Sequence, residues 1–335
     1  FTDSSEALAD MPERWLAALR GEGPVNLREA NLLSDHQIMW TRPGLISRAA
    51  GFFGSKALRG RSRAIPNEQY PLALPPDHYR GKVFRIEEPV VDPVSTMRAL
   101  SEGCRQETFL IDWESQANIE CVDSHITAIE VREEDDQIVR VEAQHYLLAA
   151  GAGNGPFLQS LGLSQPKMQL RPLHQLILRH PDLPDFFSVC VGKGTKPPIV
   201  VTTHRDSSGR KVWYVGGNIA EKPGVERGEA DQIEEGKRTF SELMPWIDLE
   251  QADWFTWRGD RAEAETGTGD RPPGAYCRKV GNLLIAWPTK LALAPELADQ
   301  VLEKAGPGSD SGCHGGPEKL RLPHPGFGIP PWDLP

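Results

Sequence analysis

Residues 144–158, QHYLLAAGAGNGPFL, form an apolar run that ends abruptly in glycines. In α/β folds, an apolar strand that leads into a glycine loop lets the backbone approach a phosphate closely, because glycine has no Cβ. The segment therefore predicts a loop that binds a nucleotide cofactor. A structural turn is the alternative, because Pro156 stands where a G-x-G-x-x-G motif that begins with Gly151 and Gly153 would place its third glycine.

The composition of the chain is typical of a globular protein without a nucleic-acid partner. Hydrophobic residues make up 39% of the 335 residues and charged residues 25%, enough for one large or two ordinary domains. The net charge is −10, and the basic cluster at 56–63 is interpreted as a solvated loop. No apolar stretch approaches the roughly 20 residues of a transmembrane segment.

The five cysteines are widely spaced and contain no C-x-x-C pair. This pattern is typical of a reducing compartment, so it predicts a cytoplasmic location and no metal site. Cys313 and His314 are adjacent, but they resemble a metal-binding pair only in isolation.

The first half of the chain is predicted to contain two helices and a small β unit. Asp10 and Glu13 form a capping box for the first helix, and Asp92 with Pro93 begins the second. Alternating apolar residues predict strands at 118–122, 125–131 and 138–143. The strand at 146–150 is expected to close the same β unit.

The second half is predicted to be an antiparallel sheet covered by a helix. Strands are expected at 173–179, 199–204, 211–217 and 252–258, and a helix at 229–244. Residues 281–306 follow as a buried strand, a turn at Pro288 and a helix with Pro295 at its first position. Beyond Gly306 a Gly/Pro-rich tail is expected to be extended or poorly ordered.

The order of these units resembles the D-amino-acid oxidase-like superfamily of FAD-dependent oxidoreductases, which includes glycine oxidase-like and glycerol-3-phosphate dehydrogenase-like enzymes. The segments HITAIEV (125–131) and RVEAQHYLLAAGAGN (140–154) resemble the family's second contact with FAD. GNLLIAWPTKLALAPELAD (281–299) resembles the segment that returns to the flavin, and EPVVDPVSTMRAL (88–100) resembles the helix before the adenine-contacting strand. The similarity covers about residues 92–306.

The resemblance implies an α/β (α+β) fold with an incomplete FAD/NAD(P)-binding Rossmann-like domain. That domain would consist of residues 1–165 and 259–306, with an inserted antiparallel substrate domain at 166–258 and the tail at 307–335. Family members begin with a βαβ unit that carries G-x-G-x-x-G and an acidic residue about 20 residues later. No such unit occurs before Asp10, so the chain is expected to lack this N-terminal part.

The resemblance also implies which residues contact FAD. Ile126 would lie beside the adenine, and Ala150, Gly151 and Gly153 would lie close to the pyrophosphate or the ribityl chain. The loop formed by Pro288, Thr289, Lys290 and Leu291 would face the pyrimidine edge of the flavin. Reduced flavin carries negative charge near N1 and C2=O, which a helix N-terminus or a cationic lysine stabilises. The alternative is that Lys290 is an ordinary loop lysine.

Three residues are predicted to act on the substrate. Arg261 and Arg258 lie where the family places its substrate arginine, whose fork matches a carboxylate or phosphate. An ion pair of Arg261 with Asp260 or Glu263 is the alternative. His174 is a candidate base near the flavin, with a structural histidine as the alternative. Two strand aromatics, Trp213 and Tyr214, either line the cleft or pack in the core.

The sequence thus predicts an FAD-dependent dehydrogenase or oxidase that removes a hydride from a small amine or hydroxy-acid substrate, or a truncated copy of such an enzyme. The substrate would resemble an amino acid or glycerol 3-phosphate, and the motifs do not identify the electron acceptor. A non-catalytic remnant that binds a small molecule is the alternative. An NAD-binding Rossmann enzyme that uses residues 151–155 is less consistent, because no βαβ unit with an acidic ribose ligand follows them.

Overall fold

A computed structural model describes residues 9–42, 62–192, 196–307 and 320–334. Cys313, His314 and most of the basic cluster at 56–63 lie outside the described residues. In the described part of the chain, no helix combines the length and the apolar character that crossing a membrane requires.

The strands are β1 (Leu32–Ser34), β2 (Gln37–Thr41), β3 (Ser62–Ala64), β4 (Val83–Ile86), β5 (Val90–Val91), β6 (Ala117–Val122), β7 (His125–Arg132), β8 (Ile138–Val141), β9 (Tyr146–Leu148), β10 (Met168–Arg179), β11 (Ser188–Val191), β12 (Val200–Arg205), β13 (Lys211–Gly216), β14 (Asp253–Ala264), β15 (Tyr276–Val280) and β16 (Leu283–Trp287). The helices are α1 (Met11–Leu19), α2 (Pro93–Ser101), α3 (Asn154–Ser160), α4 (Lys222–Val225), α5 (Glu229–Leu243) and α6 (Ala294–Ala305).

Eight strands form the largest sheet, in the order β14-β10-β13-β12-β11-β2-β4-β3. Neighbouring strands are antiparallel except β11 and β2, which are parallel. The longest ladder joins β10 to β14 along their whole length, from Met168 opposite Ala264 to Arg179 opposite Asp253. Because side chains alternate between the two faces of a strand, this register decides which residues of β10 and β14 meet on each face.

One face of this sheet packs under helix α5 and forms the main core. Leu176 and Leu178 of β10 and Trp213 of β13 pack there with Phe240 of α5, and none of the four is more than 1% exposed. The predicted antiparallel sheet with a covering helix is confirmed, and so is the mixed α/β fold. Trp213 therefore belongs to the core.

Two smaller sheets contain the segments that resemble the cofactor-binding units. One has the order β15-β16-β9, in which β9 runs parallel to β16, and the other is the meander β6-β7-β8. The buried side chain of Asn282 joins them. Its Oδ1 accepts a hydrogen bond from the Ile126 N–H at 2.9 Å, and its Nδ2 donates to the Ile126 carbonyl at 2.8 Å.

The expectation that the strand at 146–150 closes the β6-β7-β8 unit is wrong, because β9 pairs with β16 instead. Every residue of β16 is buried, so the strand has no water to satisfy its backbone groups and needs partners on both edges. Strand β15 supplies one partner and β9 the other.

The two predicted helix starts differ in their capping. Asp92 caps α2 as expected, because its carboxylate accepts a hydrogen bond from the Ser95 N–H at 2.8 Å. The capping box at α1 is wrong, since the Asp10 side chain makes no capping hydrogen bond. The backbone of Asp10 is already helical, a conformation unlike the extended one typical of a capping residue.

Of the two expected alternatives for the tail, extended or poorly ordered, the described residues 320–334 agree with the first, since they contain no α-helix or strand and are packed on the fold. Residues 320–334 bury Leu322 and Trp332, and a short turn spans Pro331–Asp333. Two isolated apolar side chains in a Gly/Pro-rich stretch produce no periodicity, so the sequence pattern did not reveal that they pack.

The large sheet draws its strands from several parts of the chain. Strands β2, β3 and β4 come from the first 165 residues, and β14 extends past residue 258 to Ala264. The division into a cofactor domain and a substrate domain stays a prediction.

Replacing Asn282 with alanine is expected to destabilise the fold. The substitution leaves the buried N–H and C=O of Ile126 without partners, which costs about 2 kcal/mol or more. Urea unfolding would measure the loss. The control is Asn118→Ala on the exposed side of β6, where a change within about 0.5 kcal/mol is expected. Equal losses in the two variants would contradict a specific role for Asn282.

Candidate active site

The loops that follow β9 and β16 lie at the carboxyl ends of two neighbouring parallel strands. The indole Nε1 of Trp287 donates to the Gly151 carbonyl at 3.0 Å. The fully buried Asn154 accepts from the Ala150 N–H at 2.7 Å and donates to the Ala286 carbonyl at 3.1 Å. These bonds hold together the two segments that the sequence predicts to bind the cofactor. In open α/β sheets, ligands bind beside the carboxyl ends of the strands.

Two glycines of the first loop border open space. Gly151 has a φ of +59°, and a Cβ at this position would meet no atom within 4 Å. A Cβ at Gly153 would meet only the Ala150 Cβ, at 3.2 Å. Gly155 differs, because a Cβ there would come within 2.7 Å of the Met168 methyl carbon. Gly151 and Gly153 therefore leave room for a ligand, whereas Gly155 packs against the end of the Met168 side chain.

The second loop presents a half-buried lysine, Lys290, which forms no ion pair among the described residues, although the negative charge of Glu88 acts on it. Thr289 adopts a φ of +61°, and its hydroxyl donates to the Gly274 carbonyl at 3.1 Å. Among the described residues, the Lys290 ammonium has no hydrogen-bond or ion-pair partner. Burial, with a contribution from the positive charge of Arg271, lowers the pKa of Lys290 to about 8. Pro288 and Leu291 beside it are exposed.

A cluster of charged side chains lies on the face of the large sheet opposite the core. Arg171 of β10 stands directly opposite Arg261 of β14. The buried carboxylate of Glu263 accepts two hydrogen bonds from Arg171, at 2.7 Å and 3.1 Å. Glu221 accepts from Arg261 at 3.3 Å and also binds Lys196. The two carboxylates thus separate two arginines that would otherwise repel each other.

The cluster has one positive charge in excess, because Arg171, Arg261, Arg271 and Lys196 are accompanied by the carboxylates Glu221, Glu263 and Asp270. The Nε of Arg261 is buried and has no hydrogen-bond partner in the described structure. Arg271 lies close enough for the charges of Arg171 and Arg261 to lower its pKa, in addition to the effect of burial. Arg271 also acts on Lys290, so one positively charged region extends from the sheet to the second loop. An arrangement of this kind attracts an anion.

Farther along the strands, the face that carries the arginine cluster is lined by aromatic and amide side chains. Gln175 of β10 stands opposite Trp257 of β14, and its Oε1 accepts a hydrogen bond from the Tyr214 hydroxyl. Burial raises the pKa of Tyr214, and the positive charge of Arg261 opposes that shift. Tyr214 therefore lines the same side as the arginines, in contrast to Trp213.

His174 and Arg258 lie on the other face, opposite each other in the β10–β14 ladder. His174 is buried, with its Nδ1 bonded to the Gly224 carbonyl at 2.9 Å. Arg258 donates to the carbonyls of Val225 and Arg227 at 3.1 Å and 2.5 Å. Both side chains hold the chain segment around α4. The structure does not bring them to the cluster that contains Arg261.

Ile126 is buried, and both of its backbone polar groups bond to Asn282. Its proposed contact with adenine stays a prediction. The ion pair of Arg261 is formed with Glu221 rather than with Asp260 or Glu263.

Sequence reasoning missed several residues of the site. Three belong to the charged cluster, and one joins the two loops; they are Arg171, Glu221, Arg271 and Asn154. The sequence did contain one useful signal. Side chains alternate between the two faces of β10, so Arg171 and His174, which are an odd number of positions apart, lie on opposite faces. The pairing of β10 with β14 and the positions of the loops cannot be read from alternation.

These features fit the cofactor that the resemblance implies. The open glycine loop could accommodate the pyrophosphate or ribityl part of FAD, and the unpaired Lys290 could face the electron-rich edge of the flavin. Both loops stand at the sheet edge where such ligands bind.

Comparison with known proteins gives one close relative, although no family model matches the chain. The chain is 40% identical over 344 residues to the probable FAD-dependent oxidoreductase PA4991 of Pseudomonas aeruginosa, covering 100% of this chain and 83% of that protein. The crystal structure of PA4991 superposes with a TM-score of 0.81 at 37% identity, covering 99% of this chain and 84% of that one.

More distant structures share the fold. L-proline dehydrogenase from P. horikoshii has a TM-score of 0.62 at 12% identity, covering 91% of this chain and 80% of that one. L-α-glycerophosphate oxidase from Mycoplasma pneumoniae, with FAD bound, has a TM-score of 0.59 at 11% identity, covering 90% and 79%. The identity and coverage of the relative from P. aeruginosa show the family: the chain belongs to the FAD-dependent oxidoreductases.

Proposed function

We propose that this oxidoreductase acts on a small amine or hydroxy acid and that Arg261 binds the substrate's carboxylate. The observation that carries the proposal is the group of three arginines, Arg171, Arg261 and Arg271, in which the buried Nε of Arg261 has no hydrogen-bond partner in the described structure, on the sheet face that adjoins the Lys290 loop. Two remote structural neighbours carry names that refer to an amino acid and to a glycerol phosphate. The experiment with Arg261→Met distinguishes a substrate with a carboxylate from one with a phosphate.

The side chains of the cluster have separate tasks in this proposal. Arg261 presents its guanidinium to the carboxylate, and Glu263 keeps Arg171 in a fixed bidentate pair beside it. Lys196 remains bonded to Glu221 when Arg261 turns toward the substrate, so the carboxylate of Glu221 is not left unpaired. Tyr214 and Trp257 limit the access of water to the space beside Arg261.

When bound, FAD would supply the redox chemistry, as the acceptor of a hydride from the substrate carbon. Gly151 and Gly153 are proposed to lie against its pyrophosphate or ribityl chain, with Ala150 beside them. The loop from Pro288 to Leu291 is proposed to hold the flavin edge, and Lys290 supplies the positive charge there. Ile126 is proposed to lie near the adenine.

We also propose a cytoplasmic location. Cys104, Cys121, Cys190 and Cys277 are free thiols, as expected in a reducing compartment.

Replacing Arg261 with methionine is expected to weaken substrate binding about tenfold to a hundredfold, because a charge-assisted hydrogen bond is lost. The assay is anaerobic bleaching of flavin absorbance in the FAD-loaded protein by glycine, sarcosine, proline or glycerol 3-phosphate. The matched control is Arg258→Met, which changes the same residue type on the opposite face of the same strand. Equal effects of the two substitutions would refute the role of Arg261. A preference for glycerol 3-phosphate over every amino acid would show that Arg261 binds a phosphate rather than a carboxylate. A protein that never retains flavin would favour a non-catalytic binding role.

The affinity for FAD is expected to decrease as the pH rises through about 8. The pKa of Lys290 is lowered to about 8, so the side chain is charged below this pH and becomes neutral above it. An anionic cofactor favours the charged form, and the loss of charge should weaken binding by about tenfold between pH 7 and pH 9. Fluorescence titration with FAD would measure this.

Two variants provide the controls. Lys290→Met should bind FAD more weakly at pH 7 and lose this pH dependence, whereas Lys290→Arg should keep its affinity through pH 9. If the FAD affinity of Lys290→Met decreases with pH as it does in the unaltered protein, the pH dependence comes from another group.

A further inference from the structure

The sheet face that carries the arginine cluster is covered at its other end by the C-terminal segment. Along β10, Arg171 and Gln175 point to this face, and Ile177 follows on the same side. Ile177 packs against Trp332 of the segment 320–334. From Arg171 to Ile177 the strand extends about 20 Å, at about 3.3 Å per residue. The segment therefore lies beyond the arginines along the same face.

Trp332 is the centre of this contact and is 4% exposed. Its ring stacks on His204 of β12, with centroids 3.9 Å apart and planes 14° apart. It also meets the ring of Tyr214 edge-on at 5.6 Å. Burial lowers the pKa of His204 to about 4, so this histidine is neutral near pH 7 and the stack contains no charge.

Two hydrogen bonds fix the backbone of the segment at the same place. Arg179 of β10 donates from Nη2 to the Trp332 carbonyl at 2.9 Å. Asp333 accepts from the Ser207 N–H at 2.6 Å. The segment is thus attached to two different strands or turns of the sheet on either side of the Trp332 ring.

Tyr214 connects this end of the face to the arginine cluster. Its hydroxyl bonds to Gln175, and its ring packs with Trp257, which stands opposite Gln175 in the ladder. Gln175 and Trp257 are four residues from Arg171 and Arg261 along their strands and therefore lie on the same face as the arginines. Tyr214 therefore contacts Trp332 on one side and, on the other, Gln175 and Trp257, which lead along the face toward Arg261.

We propose that Tyr214 forms the wall of the substrate chamber that faces Arg261, and that Trp332 is the positioning residue that holds this wall in place. This inference rests on the function proposed above, since it assumes that the substrate's carboxylate binds at Arg261. The C-terminal segment then limits the length of the substrate. A tyrosine ring supported from behind by an indole cannot turn away, so chains that extend past it are rejected.

The test uses the FAD-loaded full chain and straight-chain carboxylates from acetate to hexanoate, with binding followed by the change in the flavin spectrum. In the unaltered protein, affinity should fall beyond the short members. In Trp332→Ala, affinity for the long members should rise about tenfold because space opens behind Tyr214, while the dissociation constant for acetate stays within about threefold. The matched control is Ile329→Ala, an exposed residue of the same segment that should leave the profile unchanged.

Two further variants test the proposal if Trp332→Ala does not fold. Trp332→Leu keeps an apolar side chain in the core and should shift the profile in the same direction by a smaller amount, and Tyr214→Ala should shift it directly. An unchanged chain-length profile in these variants would overturn the proposal, and so would a uniform weakening of every carboxylate, which indicates a purely structural role. If the unaltered protein binds no carboxylate at all, the proposed carboxylate site at Arg261 is refuted, and the proposed role of Tyr214 and Trp332 is refuted with it.

Discussion

The structure depends on the register between β10 and β14, which places Arg171 directly opposite Arg261. Like charges in this position destabilise a sheet, so the pairing requires counterions. Glu263, two residues beyond Arg261 on the same strand and the same face, holds Arg171 in a bidentate pair, and Glu221 approaches Arg261 from a neighbouring segment. A slip of one residue would move the arginines of one strand to the core face, where the hydrophobic packing with α5 excludes them.

A second constraint comes from two buried asparagines. Asn154 joins the ends of β9 and β16, and Asn282 joins β16 to the meander β6-β7-β8. A side-chain amide offers a donor and an acceptor together, so each asparagine satisfies backbone groups that no strand pairs. The glycine loop and the Lys290 loop consequently lie side by side, although more than 130 residues separate them in the chain. The cofactor site is thus specified by polar contacts in an otherwise apolar core.

The sequence allowed much of the fold to be predicted, because local signals were strong. Glycine and proline marked the two cofactor loops, and apolar alternation located the strands of the large sheet and its covering helix. The site was predicted less well, since Arg171, Glu221 and Glu263 come together only through long-range pairing. His174 was chosen for its chemistry, yet it shares the side of β10 with the core residues Leu176 and Leu178. Counting positions from these leucines would have placed it on the core face.

The excess of arginine and lysine beside the cofactor loops also has a kinetic consequence. The whole chain carries a net charge of −10, which at long range repels an anionic molecule. In the proposed function, Arg261, Arg271 and Lys290 attract anions locally and so accelerate their encounter with this face. Association rates at the site should therefore be sensitive to ionic strength, since mobile ions screen the attraction over about 10 Å at 0.1 M salt.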